Sequence, residues 1–290
     1  MNQAGYIAGS VADFRDWLAG RLRGAPIGFA VPGAIAHPDL SSALAAYSWS
    51  PRANTGLPNP HRGLPHVHPH VPTLAARSPL TVNTVVLNII GDALRAAYAA
   101  VPASPHELSG AVASVFHWGG VYTEPRPGRG NRGWLTANHP HLLAILQAVV
   151  LDHAVGQDTS AVPDLRFNSG MTKVYSLLID DFIMYDSRVA AGLAWLANRW
   201  WTMDCRHPAD TLPPLLQFAC PPANGAMAPY RNPRAALFPI LTADPYQHYK
   251  WNVRANWLLA EALRVAGHAG PFRSLREVEA ALFQMGDRVI

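Results

Sequence analysis

Apolar residues recur at helical spacing along most of the chain. Phe14, Trp17, Leu18 and Leu22 share one face of a segment over 6–22, with Ser10 and Asp13 spaced as a capping box. Val85, Val86, Ile89, Ile90, Leu94 and Tyr98 predict a buried helix over 81–100, and two more are expected over 106–118 and 141–154. Residues 173–179 and 187–201 read as a helix, a short break and a second helix. Trp251, Val253, Ala255, Leu258, Leu259, Ala262 and Leu263 predict a helix over 249–266, and a last one opens on the Ser274/Glu277 capping box and stops near Gly286. No segment alternates apolar and polar residues as a half-buried strand does, and no internal repeat is found. The expected fold is all-α, a single domain over 1–290 with two helical lobes.

Three stretches break the pattern. Residues 50–79 are dominated by Pro, His, Asn, Gly and Arg and predict a long surface loop or arm; 119–133 and 207–236 are similarly irregular. With 49% hydrophobic and 14% charged residues the chain can fill a large core, which excludes global disorder. Two cysteines exclude a disulfide scaffold. The apolar run from Leu142 to Leu151 is interrupted by Gln147 and is too short to span a bilayer, and the first twenty residues lack a basic start before an apolar stretch. A cytoplasmic monomer without a membrane partner is the expectation.

Charge adds a sharper clue. The net charge is a modest +4, yet of the 23 basic residues only Lys173 and Lys250 are lysines. The abundance of Ala, Pro, Arg and Gly points to a GC-rich coding bias that writes positive positions as Arg. A lysine that survives this bias is a candidate for chemistry a guanidinium cannot perform, because Arg stays charged and is no useful nucleophile.

Lys173 lies in Phe167-Asn168-Ser169-Gly170-Met171-Thr172-Lys173-Val174-Tyr175, behind small polar residues where a helix start offers free amides to an anion. Thirteen residues on, after Phe182-Ile183-Met184, comes Tyr185-Asp186-Ser187-Arg188-Val189-Ala190, with Asp186 at the expected cap of the next helix, ordinarily a structural position. Together, Thr172-Lys173-Val174, an apolar helix and Asp186-Ser187-Arg188-Val189 resemble the helix-hairpin-helix DNA glycosylase superfamily, in particular its 8-oxoguanine DNA glycosylase-like branch. The resemblance is close over about 25 residues. It implies that Lys173 is the amine nucleophile and Asp186 the carboxylate that stabilises the oxocarbenium-like sugar. It also implies that Ser169, Gly170, Thr172 and Arg188 lie against the DNA backbone. Where the family shows an apolar-Pro-Gly-apolar-Gly hairpin, this chain has Phe167-Asn168-Ser169-Gly170-Met171, keeping one Gly out of register.

Lys250 sits in a segment where Asn252, Arg254 and Asn256 interleave with Trp251 and Trp257, a mix suited to phosphates and base stacking but equally to a core helix tied to its neighbours. Trp118, Tyr185, Lys250, Trp251 and Asn256 are the candidates for a base pocket, and Arg126, Arg129 and Arg132 for a grip on DNA. His66, His68 and His70, and His139 and His141, invite a metal reading, but they stand beside Pro and without an adjacent acidic or thiol partner. They read as surface or capping residues, Cys205 and Cys220 as small buried ones, and neither a metal nor a cofactor is expected. The function expected is excision of a modified base from double-stranded DNA by base flipping, with abasic-site lyase activity through Lys173, in repair or phage defence. The alternative is a non-catalytic helical nucleic-acid-binding or interaction module in which Lys173 and Asp186 merely tie two helices; a His-based metallohydrolase stands third.

Overall fold

The computed structural model describes residues 1–49, 77–222, 230–241, 244–267 and 270–290, so most of the expected arm lies outside the described residues. Among the described residues the fold is all-α, with only isolated β-bridges and no sheet. In chain order the helices are α1 (Gln3–Tyr6), α2 (Ser10–Leu22), α3 (Leu40–Ala45), α4 (Leu80–Ala99), α5 (Pro105–Trp118), α6 (Gly130–Asn138), α7 (Leu142–Ala154), α8 (Met171–Leu178), α9 (Ser187–Arg199), α10 (Pro245–Ala266) and α11 (Leu275–Met285).

The apolar stripes form helices largely where the periodicity places them, and the ends follow local capping. Ser274 accepts from the Glu277 amide and Glu277 returns the bond, the reciprocal capping box read from the sequence. The Ser10/Asp13 box does not form. Gly9, at φ 51°, takes the cap position of α2, residues 7–9 of the predicted helix stay outside it, and the separate α1, capped by Asn2, lies ahead of the predicted segment and shares only Tyr6 with it. Helix α10 starts four residues earlier than its apolar pattern, because Asp244 caps it and Pro245 fits the first turn. Two short helices escaped the apolar pattern: α3, held by an Asp39/Ser42 capping box, and α6, which begins inside the expected loop over 119–133.

Helix α4 buries Asn83, Val86, Leu87, Ile90, Gly91 and Leu94 against α5 and α8, and that phase leaves Val85 exposed rather than in the core. By length and composition α4 alone among the described helices is apolar enough to cross a membrane; here its buried stripe packs within the fold. The strongest packings form two sets, α2 with α10 and α11 with α3 and α9, and α4 with α5, which also meets α7 and α8. Residues 179–186 join the sets by linking α8 to α9.

Candidate active site

Segment 182–186 carries Asp186, and its backbone is held by polar side chains from three helices, α8, α10 and α11. Asn256 Oδ1 accepts from the Ile183 amide at 2.9 Å, Asn252 Nδ2 donates to the Ile183 carbonyl at 3.1 Å, and Glu279 Oε2 accepts from the Met184 amide at 2.9 Å. Thr172 Oγ1 accepts from the Tyr185 amide at 3.0 Å and donates to Asn252 Oδ1 at 2.5 Å. His248 Nε2 lies 2.8 Å from the Tyr185 carbonyl, which only accepts, so this nitrogen carries the proton. Burial lowers the His248 pKa to about 4, and its ring is neutral. Each of these groups satisfies a buried backbone atom that has no helix or sheet partner.

Asp186 adopts extended backbone at the cap of α9 and divides its carboxylate between two tasks. Oδ1 accepts from the Arg188 and Val189 amides at 2.9 and 3.2 Å, while Oδ2 lies 3.5 Å from Lys173 Nζ. Burial alone would raise this carboxyl, but the Lys173 charge and the two amides outweigh it and hold Asp186 below the usual carboxylate range. Lys173, in the first turn of α8, is buried and also donates to the Ser169 carbonyl at 2.8 Å. Its stem runs beside Gly119 at the end of α5. A Cβ on Gly119 would stand 2.5 Å from Lys173 Cδ, so the missing side chain is what lets the amine reach the carboxylate.

Beside this pair lies a narrow recess of about 20 Å³, room for on the order of one water. Trp49, Trp118, Phe283 and Tyr47 form aromatic walls, with Trp49 5.6 Å from Trp118 and 5.4 Å from Phe283 between ring centroids. Trp49 is set in place by reciprocal backbone bonds to Ser78, which bring together the two ends flanking residues 50–76. Trp118 Nε1 donates to Asn83 Oδ1 at 2.8 Å, and Asn83 Nδ2 donates to the Tyr47 hydroxyl at 2.6 Å. Burial and the neighbouring Glu279 push the Tyr47 hydroxyl up to about 12, so it keeps its proton. Among the described residues, the buried indole N–H of Trp49 has no hydrogen-bond partner. Glu279 is the second carboxyl of the recess. Burial raises its pKa against the opposing pull of Arg276 and the Met184 amide.

The expected site residues therefore divide. Lys173, Asp186 and Trp118 converge at the recess; Tyr185, Trp251 and Asn256 are buried in the core and do not line it, and Lys250 is half-buried on α10 away from it. Trp251 packs edge-on against Phe218, and the Tyr185 hydroxyl donates to the Ala219 carbonyl. In the hairpin, Ser169 is exposed and Gly170 and Thr172 are buried. The amides of Gly170 and Met171 are taken by Asn168 Oδ1, so this turn satisfies itself, and a Cβ on Gly170 would strike Asn131. Arg188 lies over the Phe283 ring at 4.5 Å. Arg126 and Arg129 are exposed in the α5–α6 loop, and Arg132 faces Glu124 at 3.4 Å. His139 pairs with Ser109, whereas His66, His68 and His70 lie outside the described residues. Cys220 is buried, and Cys205 is half-buried rather than fully so.

Sequence reasoning missed Tyr47, Trp49, Gly119, Arg276, Glu279 and Phe283. Only the helical spacing of Arg276, Glu279 and Phe283 signalled that they share a face, and nothing local connects that face with Lys173. No protein-family model, curated protein or solved structure matches the chain.

Proposed function

We propose that this chain is a DNA glycosylase of the helix-hairpin-helix type, with two helical lobes meeting at the site, and that it excises a modified base flipped out of duplex DNA. The observation that carries this reading is a lysine, one of only two in the chain, buried 3.5 Å from a carboxylate at the edge of an aromatic recess. Flipping is required because the glycosidic bond is shielded inside the duplex. To admit the base, Trp49, Trp118 and Phe283, now packed on one another, must part, and the base edge then meets the Glu279 carboxyl and the Tyr47 hydroxyl.

The chemistry follows from the division of labour at Asp186. The Lys173 ammonium, paired with Asp186, gives up one proton through Asp186 Oδ2 to the departing base, and the lone pair so released bonds to C1′ as the C1′–N bond breaks and its electron pair leaves with the base. Opening of the sugar at O4′, with a proton moved from the attached nitrogen to that oxygen, then turns the N,O-acetal into an iminium. Asp186 Oδ2, ionised and already at the amine, stabilises the positive charge that develops on the sugar. The cap bonds use the other oxygen, so serving as a cap does not remove Asp186 from chemistry. The role belongs equally to genome repair and to defence against phage DNA with modified bases.

The test is a borohydride reduction with duplexes carrying different modified bases. Wild-type protein should become covalently linked to its substrate DNA and Lys250→Arg should link as well, while Lys173→Arg should not, since a guanidinium forms no such imine. Base release without a cross-link would make water the nucleophile. A cross-link that persists in Lys173→Arg would refute the assignment.

A further inference from the structure

Next to Phe283, a wall of the recess over which Arg188 lies, three separate chain segments bring two guanidiniums onto one carboxylate oxygen. Arg188 Nη2 lies 2.9 Å and Arg231 Nη2 2.8 Å from Asp287 Oδ1. Arg231 Nη1 also donates to Ser187 Oγ at 3.0 Å, the residue next to Asp186. We infer that Arg188 and Arg231 form a seat for one phosphate of the DNA strand, and that Asp287 fills this seat until DNA displaces it. The inference rests on the glycosylase reading above and adds where the strand beside the flipped nucleotide is gripped.

The placement is built rather than incidental. Helix α11 ends at Gly286, where a Cβ would stand 1.8 Å from the Arg188 carbonyl oxygen; only glycine lets the chain pass this close to the start of α9 and deliver Asp287 there. The following residues are tied to the segment that supplies Arg231: the Val289 amide donates to the Tyr230 carbonyl at 2.8 Å, and the Arg288 guanidinium lies 3.9 Å over the Tyr230 ring. Arg188 is braced against Phe283, a wall of the recess.

The charges and exposures favour exchange. Two positive groups face one negative group, so a unit of positive charge is left over at this cluster. The arginine side chains are 29% and 18% exposed while Asp287 is 59% exposed, so the acceptor is the member of the cluster open to solvent. A phosphodiester carries the same single charge and its two free oxygens can engage both planar guanidinium forks, which one carboxylate oxygen cannot do. Exchanging Asp287 for a phosphate thus keeps the pairing and adds hydrogen bonds.

Binding to an undamaged duplex, measured across a salt series, isolates this step from base removal. Asp287→Asn should bind about 3- to 10-fold more tightly at low salt. Arg231→Ala should bind about 3- to 10-fold more weakly, with the log–log salt slope shallower by about one, as expected when one phosphate fewer is neutralised. Adding Arg231→Ala to Asp287→Asn should abolish the gain. If Asp287→Asn binds no better and Arg231→Ala keeps the wild-type affinity and slope, the cluster is a structural tie between α9 and α11 and the inference is overturned. Should Asp287→Asn fail to fold, Arg231→Ala alone decides by the same criterion. Wild-type protein that binds the duplex while the variants change nothing overturns the phosphate seat only; wild-type protein that binds no duplex overturns the DNA reading itself.

Discussion

At Asp186 one carboxylate oxygen caps α9 and the other faces Lys173, so the cap role leaves an oxygen for the proposed chemistry. Its ionised form is favoured by Lys173 and two backbone amides, more strongly than burial opposes it. Because its folded pKa lies below the unfolded value, the ionised group stabilises the fold above the usual carboxylate range, and this contribution disappears only as pH falls through the depressed value. Asp186→Asn keeps an oxygen for the cap but loses the charge. It should retain the fold and DNA affinity while base release falls at least ~100-fold, the scale of losing a charged transition-state partner. In wild-type protein, lowering the pH from about 7 to about 5 should bring no loss of base release from Asp186 protonation, since even an ordinary carboxyl stays ionised there. Turnover of Asp186→Asn at the wild-type rate would remove Asp186 from the mechanism. Gly119 makes a second prediction at this scale. In Gly119→Ala the new methyl meets chiefly the flexible Lys173 stem, with the Val115 carbonyl oxygen next at 3.3 Å. The fold should hold, with a melting temperature near wild type, while cross-linking drops about tenfold because the amine is displaced; undiminished cross-linking would show that the stem has another route.

At the scale of elements, α10 takes one of the two tasks its composition allowed, that of a core helix tied to its neighbours. Asn252, Arg254 and Asn256 look like phosphate donors between tryptophans, yet each is buried and committed. The two asparagines hold segment 182–186, and Arg254 pairs with the buried Asp158 through Nε at 2.7 Å and Nη2 at 2.6 Å. Helix α10 is therefore the internal scaffold that shapes the extended stretch before Asp186. Asn256→Ala leaves the Ile183 amide buried and unpaired, which should cost about 1–3 kcal/mol of stability. It should leave the salt dependence of DNA binding unchanged, and a shallower salt slope would return Asn256 to the interface. The same separation holds for α8: its turn 168–171 is closed by Asn168, so phosphate contact there needs exposed Ser169 rather than the amides of Gly170 and Met171.

For the whole molecule, the excess of arginine over lysine distributes charge over loops as well as the site. Arg126 and Arg129 are exposed on the α5–α6 loop, which leaves α5 just beyond Trp118 and Gly119. DNA affinity should fall steeply with added salt, and replacing Arg126, Arg129 and Arg132 by Ala should flatten that dependence, because fewer counterions are released. Arg132 should contribute least, as Glu124 already faces it. A salt-independent affinity would favour an interaction module over a DNA enzyme.

Most helices and the Lys173–Asp186 pair were legible in the sequence, for reasons that act locally. Apolar periodicity marked the buried faces, Ser274 and Glu277 carried their own capping bonds, and a lysine at a helix start followed by a cap aspartate left little distance between them once α8 and α9 formed. Where the local signal was equivocal, the tertiary structure chose: Gly9 replaced Ser10 as a cap, and α6 formed inside a Gly- and Arg-rich loop. The recess itself could not be read in advance. Its walls come from residues 47–49, 118, 184–189 and 276–283, and their meeting depends on packing α11 against α3 and α9. A burial pattern records which side of a helix avoids water, but not which distant helix covers it. For that reason Tyr185 and Asn256 lie in or hold the segment behind the recess and Trp251 packs in the core against Phe218, while Trp49, Glu279 and Phe283 line the recess.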